Sequence, residues 1–403
     1  MQRSSLTRRL RSVCFPYRAS TPRSTDLVIA NACPPLPTEI HLCNDTKLPD
    51  PFTTIRGAPV RTKSQWTCRA HELSQLFQRY ELGALPGPPD QLKASLNANG
   101  TALTVFPTVG ANTVNFTVNI TLPTEGRGPF PAVIAYGGLS IPVLDNVATI
   151  IFDNSAFAEQ NDLSSRGKGL YYDLFTPNAT ASALTAWSWG VSRIIDALER
   201  TPQARINPRK IAITGCSRNG KGALVAGAFE PRLALTIPQE SGSGGSACWR
   251  LSDYQLAHNQ SVQTASEIVT ENVWESVEFR KFANDTDLLP FDHHELAGLV
   301  APRGLIVIDN SDYLWLGPWS AWGCMSAGRL IYDALGVKDN MGYSSVGNHS
   351  HCMFPTDREL PDLTAFYNRF LLDEKADTEI FYNSVNLTFD YSQWIDWKVP
   401  RLW

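Results

Sequence analysis

The sequence has no run of ~18 consecutive apolar residues, the length a helix needs to span a bilayer. Charge is also scarce. Only 18% of its 403 residues are Asp, Glu, Lys or Arg, and 35 bases against 39 acids leave a net charge of −4. That balance lacks the basic footprint of a nucleic-acid binder, so neither a membrane nor a nucleic acid is expected as a partner. Apolar residues are not lacking. At 43%, with low net charge, they exclude disorder as a description of the whole chain. Residues 1–25 contain no acid, no Lys and no apolar stretch of the roughly 7–15 residues that a secretory signal needs. They do contain six Arg (Arg3, Arg8, Arg9, Arg11, Arg18, Arg23), so the remainder carries 29 bases against 39 acids, a net of −10.

Residues 1–25 read as a basic leader, disordered or removed, that takes no part in the chemistry. An Arg- and Ser-rich, acid-free start resembles an organelle transit peptide. The alternatives are an unstructured tail or a misassigned start codon, and Leu27-Val28-Ile29-Ala30 before Asn31-Ala32 reads as a relic of a secretory signal. Two features favour the secretory route. Eight Cys are compatible with several disulfides. Nine of the 22 Asn head an Asn-x-Ser/Thr sequon: Asn44, Asn99, Asn115, Asn119, Asn178, Asn259, Asn284, Asn348 and Asn386. That share exceeds chance pairing, and sequons carry glycans only in a secreted chain. The mature protein is therefore expected to be extracellular and glycosylated.

Residues 30–60 are rich in Pro and Cys and look like an irregular, stapled arm. Residues 72–85 show apolar spacing of a short helix ended by Pro86-Gly87-Pro88-Pro89. From residue 101, Thr and Asn alternate with Val, Phe and Ile, as in half-buried antiparallel strands. The texture then changes to continuous apolar runs at 131–138 and 148–154, a strand, sharp turn and helix over 209–230, a strand and loop over 233–245, a strand at 304–310 and a strand running into a loop over 343–352. Helical segments at 182–200, 326–337 and 363–372 are interspersed among them, and a helix also follows the turn near residue 217. Buried strands alternating with helices predict a mainly parallel sheet covered on both faces. No repeat and no interdomain linker is evident. The expectation is one α/β domain over 30–403, a three-layer αβα sandwich of the α/β-hydrolase fold with antiparallel N-terminal edge strands.

The chemistry points to one turn. Ile211-Ala212-Ile213-Thr214 leads into Gly215-Cys216-Ser217-Arg218-Asn219-Gly220-Lys221-Gly222-Ala223. A Ser on a tight strand-to-helix turn needs small neighbours, and Gly215 and Gly220 supply the room. The usual elbow is G-x-S-x-G; here the second Gly comes one residue later. The helix that follows offers N–H groups and the positive end of its dipole to an oxyanion. The plain alternative is a Gly-rich turn with an incidental Ser. A Ser nucleophile needs a base and an acid after it in the chain. Of seven His, only His349 and His351 follow the last strand expected before the closing helix. Cys216 beside Ser217 and Cys352 beside His351 suggest a disulfide holding the two turns together, which is a geometric idea that spacing cannot prove. His293-His294-Glu295 lacks the H-E-x-x-H metal spacing and reads as a surface cluster at a helix start. For the acid, Glu240 lies beyond one strand, and Asp309 and Asp312 beyond the next; the pattern does not choose between them.

These residues resemble the glucuronoyl esterases of carbohydrate esterase family 15, the fungal 4-O-methyl-glucuronoyl methylesterases. The match lies in Gly215–Ala223, in Gln239-Glu240-Ser241-Gly242-Ser243-Gly244-Gly245 and in His351-Cys352-Met353-Phe354-Pro355, in the right order. The similarity spans about residues 30–390. The resemblance implies Ser217, Glu240 and His351 as triad, Arg218 as oxyanion stabiliser, and Lys221, Gln263, Glu271 and Trp315 as sugar contacts. It implies the disulfides Cys33–Cys68, Cys216–Cys352 and Cys248–Cys324, leaving Cys14 and Cys43 without assigned partners. It further implies a secreted, monomeric serine esterase that uses no cofactor and no metal. Its substrate would be the ester between 4-O-methyl-D-glucuronic acid of glucuronoxylan and lignin alcohols. Rival readings are an acetyl xylan or feruloyl esterase, or a carbohydrate-binding protein that kept the fold without the activity. Eight sequons (Asn44, Asn99, Asn115, Asn119, Asn178, Asn259, Asn284, Asn386) are glycosylation candidates. Asn348, three residues from His351, is expected to stay unoccupied.

Overall fold

A computed structural model describes residues 33–403; the basic leader and Cys14 lie outside the described residues. Eleven strands form one sheet: β1 (Gln91–Leu96), β2 (Ala102–Val109), β3 (Asn112–Thr113), β4 (Phe116–Thr121), β5 (Phe130–Tyr136), β6 (Ala148–Phe152), β7 (Ile206–Cys216), β8 (Leu235–Gln239), β9 (Gly304–Asn310), β10 (Met341–Val346) and β11 (Phe381–Asn383). Their spatial order is β1-β2-β4-β6-β5-β7-β8-β9-β10-β11, with β3 paired to β2. β1 to β4 pair antiparallel and β4 meets β6 antiparallel. From β6 to β11 every pair is parallel.

Burial along the strands explains the two textures of the sequence. β4 alternates strictly between buried and exposed residues, since one of its faces meets water. β8, β9 and β10 are buried at every position. Their alternation is between two cores instead. Ile211, Ile213, Leu305 and Val307 pack on one face with the helices Ala183–Arg200, Arg218–Phe229, His293–Val300 and Pro318–Ala334. Ala212, Leu235, Ile306 and Ile308 pack on the other, against Leu363, Phe366 and Tyr367 of the helix Thr356–Phe370. Three layers result, as expected for this fold class.

The sheet also positions the site. β6 lies on one side of β5 and β7 on the other. Connections leaving the carboxyl ends of β5 and β7 therefore diverge, and open α/β sheets bind ligands at such a switch point. Ser217 follows β7 there.

Several elements begin where the sequence did not signal them. The first helix is Lys63–Phe77, continuing as a π turn over Gln78–Leu82, rather than 72–85. Its inner face is partly polar: buried Arg69 is paired with Glu72 and Glu295, which hides the apolar period. The helix Thr356–Phe370 contains Pro361, and the periodic segment was legible only beyond it. β1 went unread because Leu92 is its one buried residue.

Disulfides join Cys33 to Cys68, Cys216 to Cys352 and Cys248 to Cys324. Cys43, for which the resemblance assigned no partner, is also disulfide-bonded.

Close helix–strand contact requires Gly227, where a β-carbon would lie 2.3 Å from Thr236 Oγ1 on β8. Gly227→Ala is expected to destabilise the fold by about 1–3 kcal/mol, as overpacking of a filled core does. Thermal unfolding checks this; an unchanged midpoint would contradict the contact.

Candidate active site

Ser217 sits between β7 and the helix Arg218–Phe229 with φ 58° and ψ −126°. A left-handed conformation is costly for a residue with a side chain, so the surroundings must hold it. Ser217 N–H donates to Gln239 O at 2.9 Å. A β-carbon at Gly215 would come within 2.5 Å of Asn219 O, and one at Gly220 within 2.5 Å of Gln239 O. Both glycines are thus required by close backbone approach, and the displaced second Gly serves the same turn.

Glu240 directly follows β8. Its φ is 44° and its N–H donates to Ile308 O at 2.7 Å. The carboxylate is fully buried, so its lone pairs must be met inside the protein. His351 Nδ1 lies 2.7 Å from Oε2, and the Cys352 backbone N–H donates to Oε1 at 3.1 Å. Gln239 Nε2 adds a longer bond at 3.3 Å. With Nδ1 donating to the carboxylate, His351 Nε2 carries the lone pair, and that atom is buried without a hydrogen-bond partner among the described residues. The ring clusters with Tyr313 and Trp315, at centroid distances of 5.4 and 5.3 Å. The Cys216–Cys352 disulfide fastens the Ser217 turn to the His351 turn.

The competing residues are engaged elsewhere. His349 Nε2 is 3.1 Å from Val346 O, and Nδ1 is 3.2 Å from Ser350 O and 3.9 Å from Glu240. Asp309 is buried, accepting the Tyr343 O–H at 2.7 Å and the Asn310 N–H. Burial pushes its pKa up to about 7 against those bonds. Asp312 accepts the Asn348 N–H.

The four sugar-contact candidates converge beside this group. Gln263 N–H donates to Trp315 O at 2.8 Å, and its side-chain amide to Glu271 Oε2 at 3.0 Å. Lys221 is buried one helical turn from Ser217. Its ammonium donates to Ser241 O at 2.6 Å and to Ser243 O. An ammonium has three N–H donors, and these two bonds use two of them. Burial lowers the Lys221 pKa, while the nearby Glu275 and Glu271 oppose that shift. Trp274 was not singled out from the sequence, yet its ring faces both Arg218 (5.4 Å) and Lys221 (5.8 Å). The Trp274 indole N–H donates to Gln160 Oε1 at 3.1 Å, and the Gln160 amide bonds Asn219 of the elbow. Its only sequence signal is a Trp between the acids of Glu271-Asn-Val-Trp-Glu275.

Cys216, His351 and Cys352 bring ligand-type atoms within 4.8 Å of one another. Both sulfurs are spent in the disulfide, so neither supplies the thiolate that a metal takes. His293-His294-Glu295 is not a surface cluster: all three are fully buried. The reason is that each has a specific partner, Glu81 and Gly245 O for His293, Pro49 O for His294 and Arg69 for Glu295.

A family model described as fungal glucuronyl esterase matches residues 105–336. The 4-O-methyl-glucuronoyl methylesterase of Hypocrea jecorina is 52% identical over 370 residues, covering 92% of this chain and 79% of that protein. That of Phanerochaete chrysosporium is 51% identical, covering 89% and 77%. The chain belongs to the fungal glucuronyl esterase family. It is accordingly a carboxylic ester hydrolase.

Solved structures agree with the esterase in fold. The catalytic domain of the Hypocrea jecorina glucuronoyl esterase superposes with a TM-score of 0.88 at 52% identity, covering 91% of this chain and 100% of that one. A serine-to-alanine variant of the Sporotrichum thermophile glucuronoyl esterase also gives 0.88, at 47% identity, covering 93% and 100%. That variant was crystallised with methyl 4-O-methyl-β-D-glucopyranuronate.

Asp309 generates a prediction. Its pKa of about 7 in the fold lies above its ordinary 3.8. The folded state therefore keeps a proton that the unfolded chain releases, so this group's contribution to stability falls as pH rises from about 4 to about 7 and is level above. Asp309→Asn is expected to flatten that decline in thermal unfolding. It should change kcat/KM by less than about threefold, far below the cost of losing a triad carboxylate. A large activity loss would instead make Asp309 part of the machinery.

Proposed function

We propose that the esterase cleaves glucuronoyl esters by a Ser217–His351–Glu240 acyl-enzyme mechanism. Its natural substrate would be the ester joining 4-O-methyl-D-glucuronic acid of glucuronoxylan to lignin alcohols. The carrying observation is the 2.7 Å contact of His351 Nδ1 with buried Glu240, which leaves the lone pair on Nε2, in a turn that the Cys216–Cys352 disulfide ties to the Ser217 turn. Hydrolysis of glucuronoyl methyl esters is supported by the named relatives at about half identity over most of the chain.

In this mechanism His351 Nε2 takes the hydroxyl proton of Ser217 as its oxygen attacks the uronoyl carbonyl. The approach of Nε2 to Oγ is completed on substrate binding, since such bonds tighten in the reacting complex. Glu240 holds the tautomer and faces the imidazolium that forms. Arg218, laid on Trp274, and a backbone N–H at the helix start receive the oxyanion. His351 returns the proton to the leaving alcohol, and water repeats the sequence to release the uronic acid. Lys221, Gln263 and Glu271 would take the sugar hydroxyls, and the half-exposed Trp315 the pyranose C–H face.

Residues 30–403 would act as one catalytic domain without the leader, as a monomer secreted with glycans. In support, the Asn side chains of all nine sequons are exposed. Asn348 would stay bare, because a glycan there would crowd His351.

Ser217→Ala is expected to cut hydrolysis of methyl 4-O-methyl-glucuronate at least about a thousandfold, as loss of a triad nucleophile does. Retained turnover would sink the assignment. Acetylated xylan and feruloylated arabinoxylan are expected to be poor substrates of the unaltered enzyme. Either one exceeding the glucuronate ester would favour the corresponding rival esterase.

A further inference from the structure

The loop that starts at Glu240 is itself held from below. It bends through three left-handed residues, Glu240, Gly242 and Gly244. Its own bonds run from Gly245 N and Ala247 N to Gly242 O. Two side chains grip its outward carbonyls. Lys221 takes Ser241 O and Ser243 O, and His293 Nδ1 lies 2.7 Å from Gly245 O. A carbonyl only accepts, so Nδ1 must carry the proton there. The other ring nitrogen of His293 lies 2.7 Å from Glu81 Oε1, and both residues are fully buried. Phe77 and Trp249 close around the ring at 6.0 and 5.3 Å. An invested polar pair of this kind, buried beneath a catalytic loop and absent from the chemistry, is a costly arrangement unless it fixes something.

We propose that His293 is a positioning residue for Glu240: by donating Nδ1–H to Gly245 O it fixes the loop whose first residue aligns His351. Glu81 sets the orientation of the ring. The proton in the Nε2–Glu81 contact sits on either partner without altering the Nδ1–H bond to the loop. The proposal rests on the triad reading above. It predicts that losing the Gly245 bond misplaces Glu240 and so lowers kcat, while Lys221, carried by its own helix though it touches the loop, and Gln263, Glu271 and Trp315, held by other segments, leave KM near its ordinary value.

Two substitutions separate this from simple packing. In His293→Asn the amide nitrogen replaces Nδ1 and keeps the donor to Gly245 O, but loses Glu81. In His293→Gln the amide reaches the place of Nε2 and keeps Glu81, but loses Gly245. With methyl 4-O-methyl-glucuronate, His293→Gln is expected to lose about tenfold in kcat with KM within about twofold. His293→Asn should stay within about threefold of the unaltered enzyme. Equal losses in both, or none in either, would overturn the proposal. If neither variant folds, as read by thermal unfolding, Glu81→Gln decides. It preserves Nδ1–H and should keep kcat within about threefold, and a tenfold loss would overturn the role assigned to the loop bond. Failure of the triad reading is separately visible, because Ser217→Ala would then remain active whatever His293 does.

Discussion

A carboxylate cut off from water must find every donor within the protein, and the site is organised around one such group. Glu240 is fully buried, and its oxygens are met by His351 Nδ1, the Cys352 N–H and the Gln239 amide. Removing any one of these would leave part of a buried charge unpaired, at a cost of kilocalories rather than tenths. The bond to His351 also decides which ring nitrogen holds a lone pair, which is the property a general base needs. Orientation, tautomer and burial of the acid are therefore a single constraint.

That constraint is met with strained backbone. Ser217, Glu240 and Cys352 all have positive φ, at 58°, 44° and 64°. Each such residue costs of order 1–3 kcal/mol and persists only where its surroundings over-determine it. The surroundings here are identifiable. The Ser217 N–H is bonded to Gln239 O, the Glu240 N–H to Ile308 O, and Cys352 is tied by its disulfide to the residue preceding Ser217. Parallel strands β7, β8 and β10 thus bring three chain-distant turns to the carboxyl-end side of the sheet.

Much of this was legible in the amino-acid order, because doubly buried strands write themselves as apolar runs and an elbow writes itself as small residues around a Ser. The run Gly304–Asn310 coincides with β9 to the residue. The choice of acid was not legible from pattern. Glu240 and Asp312 follow strands and Asp309 lies at the end of one, and what separates them is which donor each meets in space: His351, Tyr343 or the Asn348 N–H. His349 and His351 differ in the same way. Trp274 escaped notice because a cation–π contact joins residues far apart in the chain. His293-His294-Glu295 was misread as surface because three polar residues in a row carry no sign of the buried partners, Glu81, Pro49 and Arg69, that make their burial tolerable.

The central claim is that Glu240, and not Asp309 or Asp312 at the end of β9, orients His351. Measuring kcat/KM of Glu240→Ala on methyl 4-O-methyl-glucuronate tests it most directly. The predicted result is a folded protein with activity reduced about 10³–10⁴-fold, as when a triad acid is lost. A folded Glu240→Ala enzyme within tenfold of the unaltered one would contradict the account.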